Sequence, residues 1–317
     1  MQSLKQNLQQ ITQFITDPND VILVDYPQHY NVGDLLIFLG EIEFLESQGI
    51  IPKFYLGTFN TSVSFLKKHV TPNTTILCHG GGNFGDLYVF HQKLRESILK
   101  NFPNNRVIIL PQTAYFANND NLKRSQKIFK AHQNVVLFAR DEESLNILKG
   151  FSDKAFLSPD MAHALYGTLP KSAVKNNETL YFLREDIEKN PIQDELEASV
   201  VKNSRNIDWE DLMTRSDNRY LSFLHTLSKI NRVLKSDSLN NAIYRSWFKK
   251  IKKMVDVYSE DFSQYHHVTT SRLHGHIFAC LLDIPSTVID NSYGKNSTYY
   301  NRWTKQLHGT SLMKKSL

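Results

Sequence analysis

Ser271-Arg272-Leu273-His274-Gly275-His276 gathers a guanidinium, two imidazoles and a glycine directly after the apolar run around Val268. A strand should end there and a helix begin. Free amide N–H groups at a helix start, joined by a cation, suit an anionic ligand at the carboxyl edge of an open α/β sheet. An imidazole in that place can give or take a proton near neutral pH, which makes Arg272, His274 and His276 the strongest candidates for chemistry. A second cluster, His79-Gly80-Gly81-Gly82-Asn83-Phe84-Gly85-Asp86, has the same strand-then-glycine form. Consecutive glycines cost conformational entropy on folding. The usual return is close approach by a ligand or another chain segment; a plain tight turn is the other reading.

Asn31-Val32-Gly33-Asp34 also follows a strand and opens a helix. Gly33 lets backbone come close to a ligand, and Asp34 either caps that helix or serves as a catalytic or acceptor-binding carboxylate. Arg140 and Arg184 stand at strand ends, each followed by acids: Asp141 after the first, Glu185 and Asp186 after the second. Each is either a local ion pair or a guanidinium fork for carboxylate or phosphate. Lys295, in Tyr293-Gly294-Lys295-Asn296, is either a solvated lysine or a further phosphate contact. No His-Glu-x-x-His or cysteine pair points to a metal, no phosphate-loop lysine to a nucleotide hydrolase, and no Gly-x-Ser-x-Gly to a serine hydrolase. A dinucleotide site is set aside, the Gly-x-Gly-x-x-Gly spacing being read as absent and no acidic residue ending the next strand in the expected way.

The elements that must hold these residues alternate in type. Helix is expected over Gln2–Ile15, Leu35–Gln48, Asp86–Lys100 and, capped by Asp141, Asp141–Lys149. Short apolar strands are expected at Val21–Val24, Ile51–Leu56, Thr75–Cys78, Arg106–Leu110 and Asn134–Phe138. Continuous apolar strands between helices mean a parallel sheet covered on both faces. A composition break at Gly167–Asn177 reads as a hinge between a domain at 1–168 and a second, also doubly wound, at 178–317. The second begins with strand Thr179–Leu183 and a long polar stretch. It closes with helix Leu273–Leu282 between strands His267–Thr270 and Ser286–Ile289, and its last helix is expected to pack back on the first domain. Ser238–Val257 is a basic helix with Ile243, Trp247, Ile251 and Met254 on one face and Arg245, Lys249, Lys250, Lys252 and Lys253 supplying charge. It either packs on a core or rests on an anionic membrane surface.

Bulk properties agree with an ordinary globular chain. The 317 residues are 41% hydrophobic and 22% charged, which rules out a disordered chain. A net charge of +5 suits anionic substrates or an acidic membrane surface and does not single out nucleic acid. Cys78 and Cys280 read as buried free thiols, and no secretory or membrane-spanning segment stands out. The expected location is the cytoplasm, with room for peripheral contact at the inner face of the membrane.

The chain resembles the polysaccharide pyruvyl transferase family. The likeness rests on Asn31-Val32-Gly33-Asp34, Gly80 to Asp86, Ala139-Arg140-Asp141-Glu142-Glu143-Ser144, Leu183-Arg184-Glu185-Asp186, Ser271 to Gly275 and the tail Asp290 to Trp303, in family order. Between Ile187 and Asp261 only Asp208-Trp209 is similar. The resemblance implies an α/β fold of two Rossmann-like domains facing a cleft in a GT-B-like arrangement, the first on the acceptor side and the second on the donor side. It implies phosphoenolpyruvate as donor, a sugar hydroxyl pair as acceptor, a pyruvate ketal as product, and a role in exopolysaccharide or cell-surface glycan synthesis. Neither metal nor cofactor is implied. Arg272 and His274 would belong to the donor site, with His274 as general acid and Asp34 as base. Asn31, Gly33, Gly81, Gly82, Asn83, Asp86, Arg140, Arg184, Leu273, Gly275 and Lys295 would contact substrate. A lipid-linked acceptor at the cytoplasmic leaflet is the expectation. The rivals are a nucleotide-sugar glycosyltransferase of the same architecture and a scaffold protein that would tolerate loss of Arg272 and His274.

Overall fold

The apolar run from Val21 splits its side chains between two faces. Val21 and Leu23 join one hydrophobic cluster, Ile22 and Val24 another, as the two-residue period of a strand demands. The computed structural model describes residues 1–184, 189–190, 193, 196, 206–207, 214–291 and 294–313. Asp208-Trp209, Glu185, Asp186 and Tyr293 lie outside the described residues. The fold is α/β with two parallel sheets.

The first sheet contains β1 (Val21–Tyr26), β2 (Phe54–Gly57), β3 (Thr75–Cys78), β4 (Gly81–Gly85), β5 (Arg106–Tyr115), β6 (Val135–Ala139) and β7 (Ala155–Leu157). Its order is β2-β1-β3-β5-β6-β7, with β4 alongside the far half of β5. The intervening helices are α1 (Gln2–Asn7), α2 (Val32–Ser47), α3 (Val63–His69), α4 (Val89–Asn101), α5 (Asn119–Lys130) and α6 (Glu142–Leu148). As expected, Asp141 caps α6, accepting the Ser144 N–H at 2.7 Å. Cys78 and Cys280 are free and buried.

The second sheet contains β8 (Thr179–Phe182), β9 (Asn206–Ile207), β10 (His267–Thr270), β11 (Ser286–Val288) and β12 (Thr310–Leu312), ordered β12-β11-β10-β8-β9. Its helices are α7 (Arg215–Leu234), α8 (Asp237–Phe262), α9 (Leu273–Leu281) and α10 (Lys295–Tyr299), the last continuing into a π-helical turn to Thr304. The long helix α8 follows β8 and β9 in sequence yet packs against the first sheet. Trp247 Nε1 donates to the Pro27 carbonyl at 2.8 Å, and Tyr244 stacks on Tyr55 with centroids 4.0 Å apart. One apolar cluster accordingly runs from β1 and α2 through α8 to β8, β10 and α9.

Three expectations need correction. The glycine run is not a loop leading straight into a helix at Asp86. It is strand β4, and α4 starts at Val89. The amino-terminal helix is α-helical only to Asn7 and then tightens to a 3-10 form over Leu8–Phe14. Strand β5 does not stop at Leu110. It continues through Pro111, where its register with β6 shifts between Ile109 and Gln112; a proline is tolerated in a strand at such an irregularity. The basic helix has its apolar face against protein: Ile243, Trp247 and Ile251 are fully buried, while Arg245, Lys249, Lys252 and Lys253 face solvent. Among the described residues no helix is long and apolar enough to cross a membrane.

Candidate active site

The carboxyl ends of both sheets border a cavity of about 280 Å³. From the first sheet and its helices come His29, Asn31, Asp34, Gly82, Asn83, Tyr88, His91 and Arg140. From the second come Arg184, Arg272, Leu273, His274, Lys295 and Asn296. Among the described residues the wall holds four permanent cations (Arg140, Arg184, Arg272 and Lys295) and one carboxylate, Asp34.

Asn31, not Asp34, caps α2: its side chain accepts the Gly33 N–H at 3.0 Å. This corrects the capping alternative for Asp34, whose carboxylate is left at the cavity with His29 Nε2 3.6 Å away. The next residue back in space is His274. A Cβ built on Gly33 would lie 2.6 Å from its Nδ1, so only glycine lets the imidazole settle against α2.

The glycine strand makes a further part of the wall, beside α2: a Cβ on Gly81 would lie 3.7 Å from Asp34 Oδ1. Gly81 has φ of +117°, where a side chain would be strained. At Gly82 a Cβ would come within 3.2 Å of an Arg140 Nη and 3.4 Å of Lys295 Nζ, so bare backbone faces two cations. Gly80, Gly82 and Gly85 do carry a Gly-x-Gly-x-x-Gly spacing, but the run is an extended strand paired with β5 and not a turn opening a helix, as a dinucleotide site requires. Asn83 is held from behind. Buried Arg95 on α4 donates to its carbonyl at 3.0 Å and also to its side chain, and Gln112 Oε1 accepts its N–H at 3.2 Å. Asp86 is elsewhere: its carboxylate accepts the Ala117 and Asn118 N–H groups at 2.7 and 2.9 Å, tying down the loop before α5.

Arg140 does not pair with its neighbour Asp141. Its Nη1 meets Asp160 Oδ2 at 2.6 Å, both side chains being almost wholly buried, and its Nε donates to Thr113 Oγ1 at 2.7 Å. His274 Nε2 lies 3.3 Å from the same Asp160 oxygen and 3.5 Å from Arg140 Nη1. Burial alone would raise the Asp160 pKa, but the His274 imidazole and the Arg140 guanidinium hold it far below the usual carboxylate range. Asp160 is in turn fixed by the Ala162 N–H at 2.9 Å and, through its own N–H, by the Tyr299 hydroxyl at 3.0 Å. Trp303 Nε1 donates to the Arg140 carbonyl at 2.7 Å, so the tail of the chain buttresses this triad.

The loops at the carboxyl edge of the second sheet are laced together by side chains. Ser271 Oγ accepts the Arg184 N–H at 2.9 Å, and the Asn296 amide donates to the Ser271 and Ile289 carbonyls at 2.7 and 2.9 Å. Asp290 Oδ1 accepts the Asn296 N–H at 3.1 Å, and Asn291 Oδ1 the Lys295 N–H at 2.8 Å. Gly275 sits one turn in, with the Phe182 ring and Thr270 Oγ1 each 2.5 Å from where its Cβ would be. His276 is not part of the site. It is fully buried between Ser286 Oγ at 2.9 Å and Thr304 Oγ1 at 2.7 Å, and burial pushes its imidazole down to about 3.

Of the sequence candidates, Asn31, Asp34, Gly82, Asn83, Arg140, Arg184, Arg272, Leu273, His274 and Lys295 line one cavity. Gly33 and Gly81 stand against lining residues, His274 and Asp34, while Gly275 packs its helix on Phe182 and Thr270. Sequence reasoning missed Asp25, His29, Tyr88, His91 and Asp160. Asp160 stands just beyond a strand end, the same signal that drew attention to Arg140, but the short strand β7 had not been recognised. Among the described residues no group of three His, Cys, Asp or Glu side chains is placed to hold a metal ion.

Residues 31–293 match the family described as polysaccharide pyruvyl transferase. The chain is 38% identical over 316 residues to the EpsO protein of Bacillus subtilis (strain 168), covering 99% of this chain and 94% of that one. It is 28% identical over 316 residues to Pyruvyl transferase 1 of Schizosaccharomyces pombe, with 92% and 71% covered. A crystal structure of an uncharacterised protein from Klebsiella pneumoniae superposes with a TM-score of 0.61 over 98% of each chain at 19% identity, a likeness of fold alone.

Proposed function

Since the chain belongs to the polysaccharide pyruvyl transferase family, we propose that it moves the enolpyruvyl group of phosphoenolpyruvate onto two hydroxyls of a sugar, forming a pyruvate ketal in exopolysaccharide or other cell-surface glycan synthesis. One observation carries this reading: among the described residues, Arg140, Arg184, Arg272 and Lys295 line a cavity of about 280 Å³ together with one carboxylate, Asp34. A small donor bearing both a carboxylate and a phosphate suits that charge, and guanidinium forks suit both groups.

In this reading Arg184, Arg272 and Lys295 hold the donor's anionic groups. Arg140, fixed by Asp160 and Thr113, turns its remaining Nη toward the backbone of Gly82. His274 protonates the methylene carbon. A first hydroxyl, relieved of its proton by Asp34, bonds to C2. Phosphate then leaves with the electron pair of the C2–O bond, and the second hydroxyl closes the ketal. The two hydroxyl protons account for the hydrogen gained by the methyl group and the one carried by phosphate. Asp160 supplies a counter-charge at 3.3 Å whenever the His274 ring is protonated.

We place the donor on the second sheet's side (178–317) and the acceptor on the first (1–168), the two lobes facing each other in the GT-B manner. Leu87, Tyr88, Val89 and Phe90 form an exposed apolar run beside the acceptor end. Such a run suits a lipid-linked acceptor. Peripheral contact with an anionic membrane would use the exposed lysines of α8, since its apolar face is packed.

The test is incubation with phosphoenolpyruvate and a panel of galactose-, glucose- and mannose-type acceptors, followed by mass spectrometry and a phosphate assay. Wild type should give the ketal mass increment with inorganic phosphate, and His274→Ala should lose turnover with its fold intact. Release of a nucleoside diphosphate from a nucleotide sugar, with no reaction of phosphoenolpyruvate, would assign glycosyl transfer instead.

A further inference from the structure

Ketal formation takes a proton from each of two hydroxyls, and the reading above names one base. The acceptor wall holds a second acid–base unit. His91, on α4, lines the cavity, and its Nδ1 lies 2.7 Å from Asp25 Oδ2. The His91 side chain is 19% exposed and that of Asp25 is 1% exposed, so one end of the pair is sealed and the other is open. Asp25 ends the regular part of β1 in the left-handed region, with φ of 67°. The register of β1 against β2 shifts between Val24 and Tyr26, on either side of it. A buried non-glycine residue in that conformation is strained and persists only where its surroundings fix it. Here the Asp25 N–H reaches Thr61 Oγ1 at 3.4 Å, and the buried Arg95 guanidinium, four residues beyond His91 on α4, adds a positive charge near the carboxylate. A carboxylate on one ring nitrogen makes that nitrogen the donor and leaves the other with a lone pair.

We propose that Asp25 and His91 form a dyad that acts as general base for one of the two acceptor hydroxyls. His91 Nε2 takes the proton as the hydroxyl oxygen forms its bond to C2 of the donor. That hydroxyl is the second one, which bonds to C2 after the C2–O bond to phosphate has broken, and the proton then passes from the ring to the released phosphate. Asp25 is a positioning residue that holds the ring in the accepting tautomer. The proposal rests on the pyruvyl-transfer reading. Among the described residues, the charged and titratable groups around His91 include Asp25 at the end of β1, His29 and Asp34 at the entry to α2, His79 after β3, Tyr88 just before α4, and Arg95 on its own helix.

The experiment compares wild type with His91→Gln, His91→Ala and Asp25→Asn, asparagine being a residue that tolerates left-handed backbone. Phosphoenolpyruvate affinity is measured by calorimetry, and acceptor-dependent phosphate release is measured across pH. The His91 variants should lose about 10²- to 10⁴-fold in turnover, the range for a general base, with donor affinity within about twofold of wild type. The acid limb of kcat/KM for the acceptor should disappear in His91→Gln, and added imidazole should restore turnover to His91→Ala. Asp25→Asn should lose turnover with its donor affinity kept. If His91→Gln keeps its turnover and its acid limb, the dyad is a tie between α4 and β1 and the proposal is wrong. If wild type releases no phosphate with any acceptor, the pyruvyl-transfer reading itself fails and takes the dyad with it; the wild-type control separates the two failures.

Discussion

Gly33 of α2 and His274 of α9 touch: a Cβ on Gly33 would stand 2.6 Å from His274 Nδ1 and 2.8 Å from its Cγ. The contact sets how deeply the imidazole reaches into the cavity. Gly33→Ala should push the ring away and lower kcat by about tenfold or more, equivalent to about 1.4 kcal/mol. Combined with His274→Ala it should cost nothing further, because both changes disable the same group. Steady-state kinetics on the two single variants and the double variant check this; full additivity would show that Gly33 acts elsewhere.

Asp160 Oδ2 serves two side chains at once, Arg140 at 2.6 Å and His274 at 3.3 Å. Removing its charge in Asp160→Asn leaves Arg140 buried without its counter-ion, a change that costs about 3–5 kcal/mol in comparable buried pairs. Urea unfolding should show that loss. Turnover should fall as well, since both Arg140 and His274 take their orientation from this carboxylate. A stable, fully active Asp160→Asn would show that Thr113 and the backbone suffice to hold Arg140.

Glu41 and His79 form a buried pair beneath the glycine strand. The His79 Nδ1 is 2.9 Å from one carboxylate oxygen, and the other accepts the Gly80 N–H at 2.8 Å. Burial by itself would lower the His79 pKa, but Glu41 outweighs it and holds the imidazole above 6.5. A raised folded value means stability that is complete below the unfolded value and is lost as pH rises through the folded one. Unfolding measured from pH 6 upward should show that decline in wild type and a flatter curve in Glu41→Gln.

His163 and His276 work in the opposite direction. Burial pushes them down to about 4 and about 3, from an ordinary value of 6.5. Their contribution is complete above 6.5. As pH falls, the unfolded chain takes up protons that the folded one refuses, at about 1.4 kcal/mol per pH unit for each histidine. Thermal unfolding at pH 7 and pH 5 should show the loss, and replacing His276 by glutamine should reduce the slope. An unchanged slope would mean that His276 becomes protonated in the folded chain.

Much of the site was legible because it sits where apolar runs end. Thr75–Cys78 and His267–Thr270 were placed residue for residue, and charged or glycine residues after a buried strand must lie at the sheet's carboxyl edge, whatever the strand order. Asn31, Asp34, Arg140, Arg184, Arg272, His274 and Lys295 were all found by that rule. Strand β4 was not, because glycine has little strand preference of its own; its form comes from pairing with the far half of β5, which a proline had hidden.

Composition and periodicity thus determined the parallel α/β architecture, the buried thiols and the loops that carry charge, since each depends on residues close together in the chain. Tertiary structure alone decided the partnerships. Asp160 joins Arg140 and His274 across 114 residues, Asp25 reaches His91 on a helix 66 residues away, and Gly33 rather than any distant side chain fixes the depth of His274. None of these leaves a local trace, because an ion pair or a close contact depends on which strand ends and helices the fold sets side by side, and a carboxylate reads the same in sequence whether it faces solvent or a buried guanidinium.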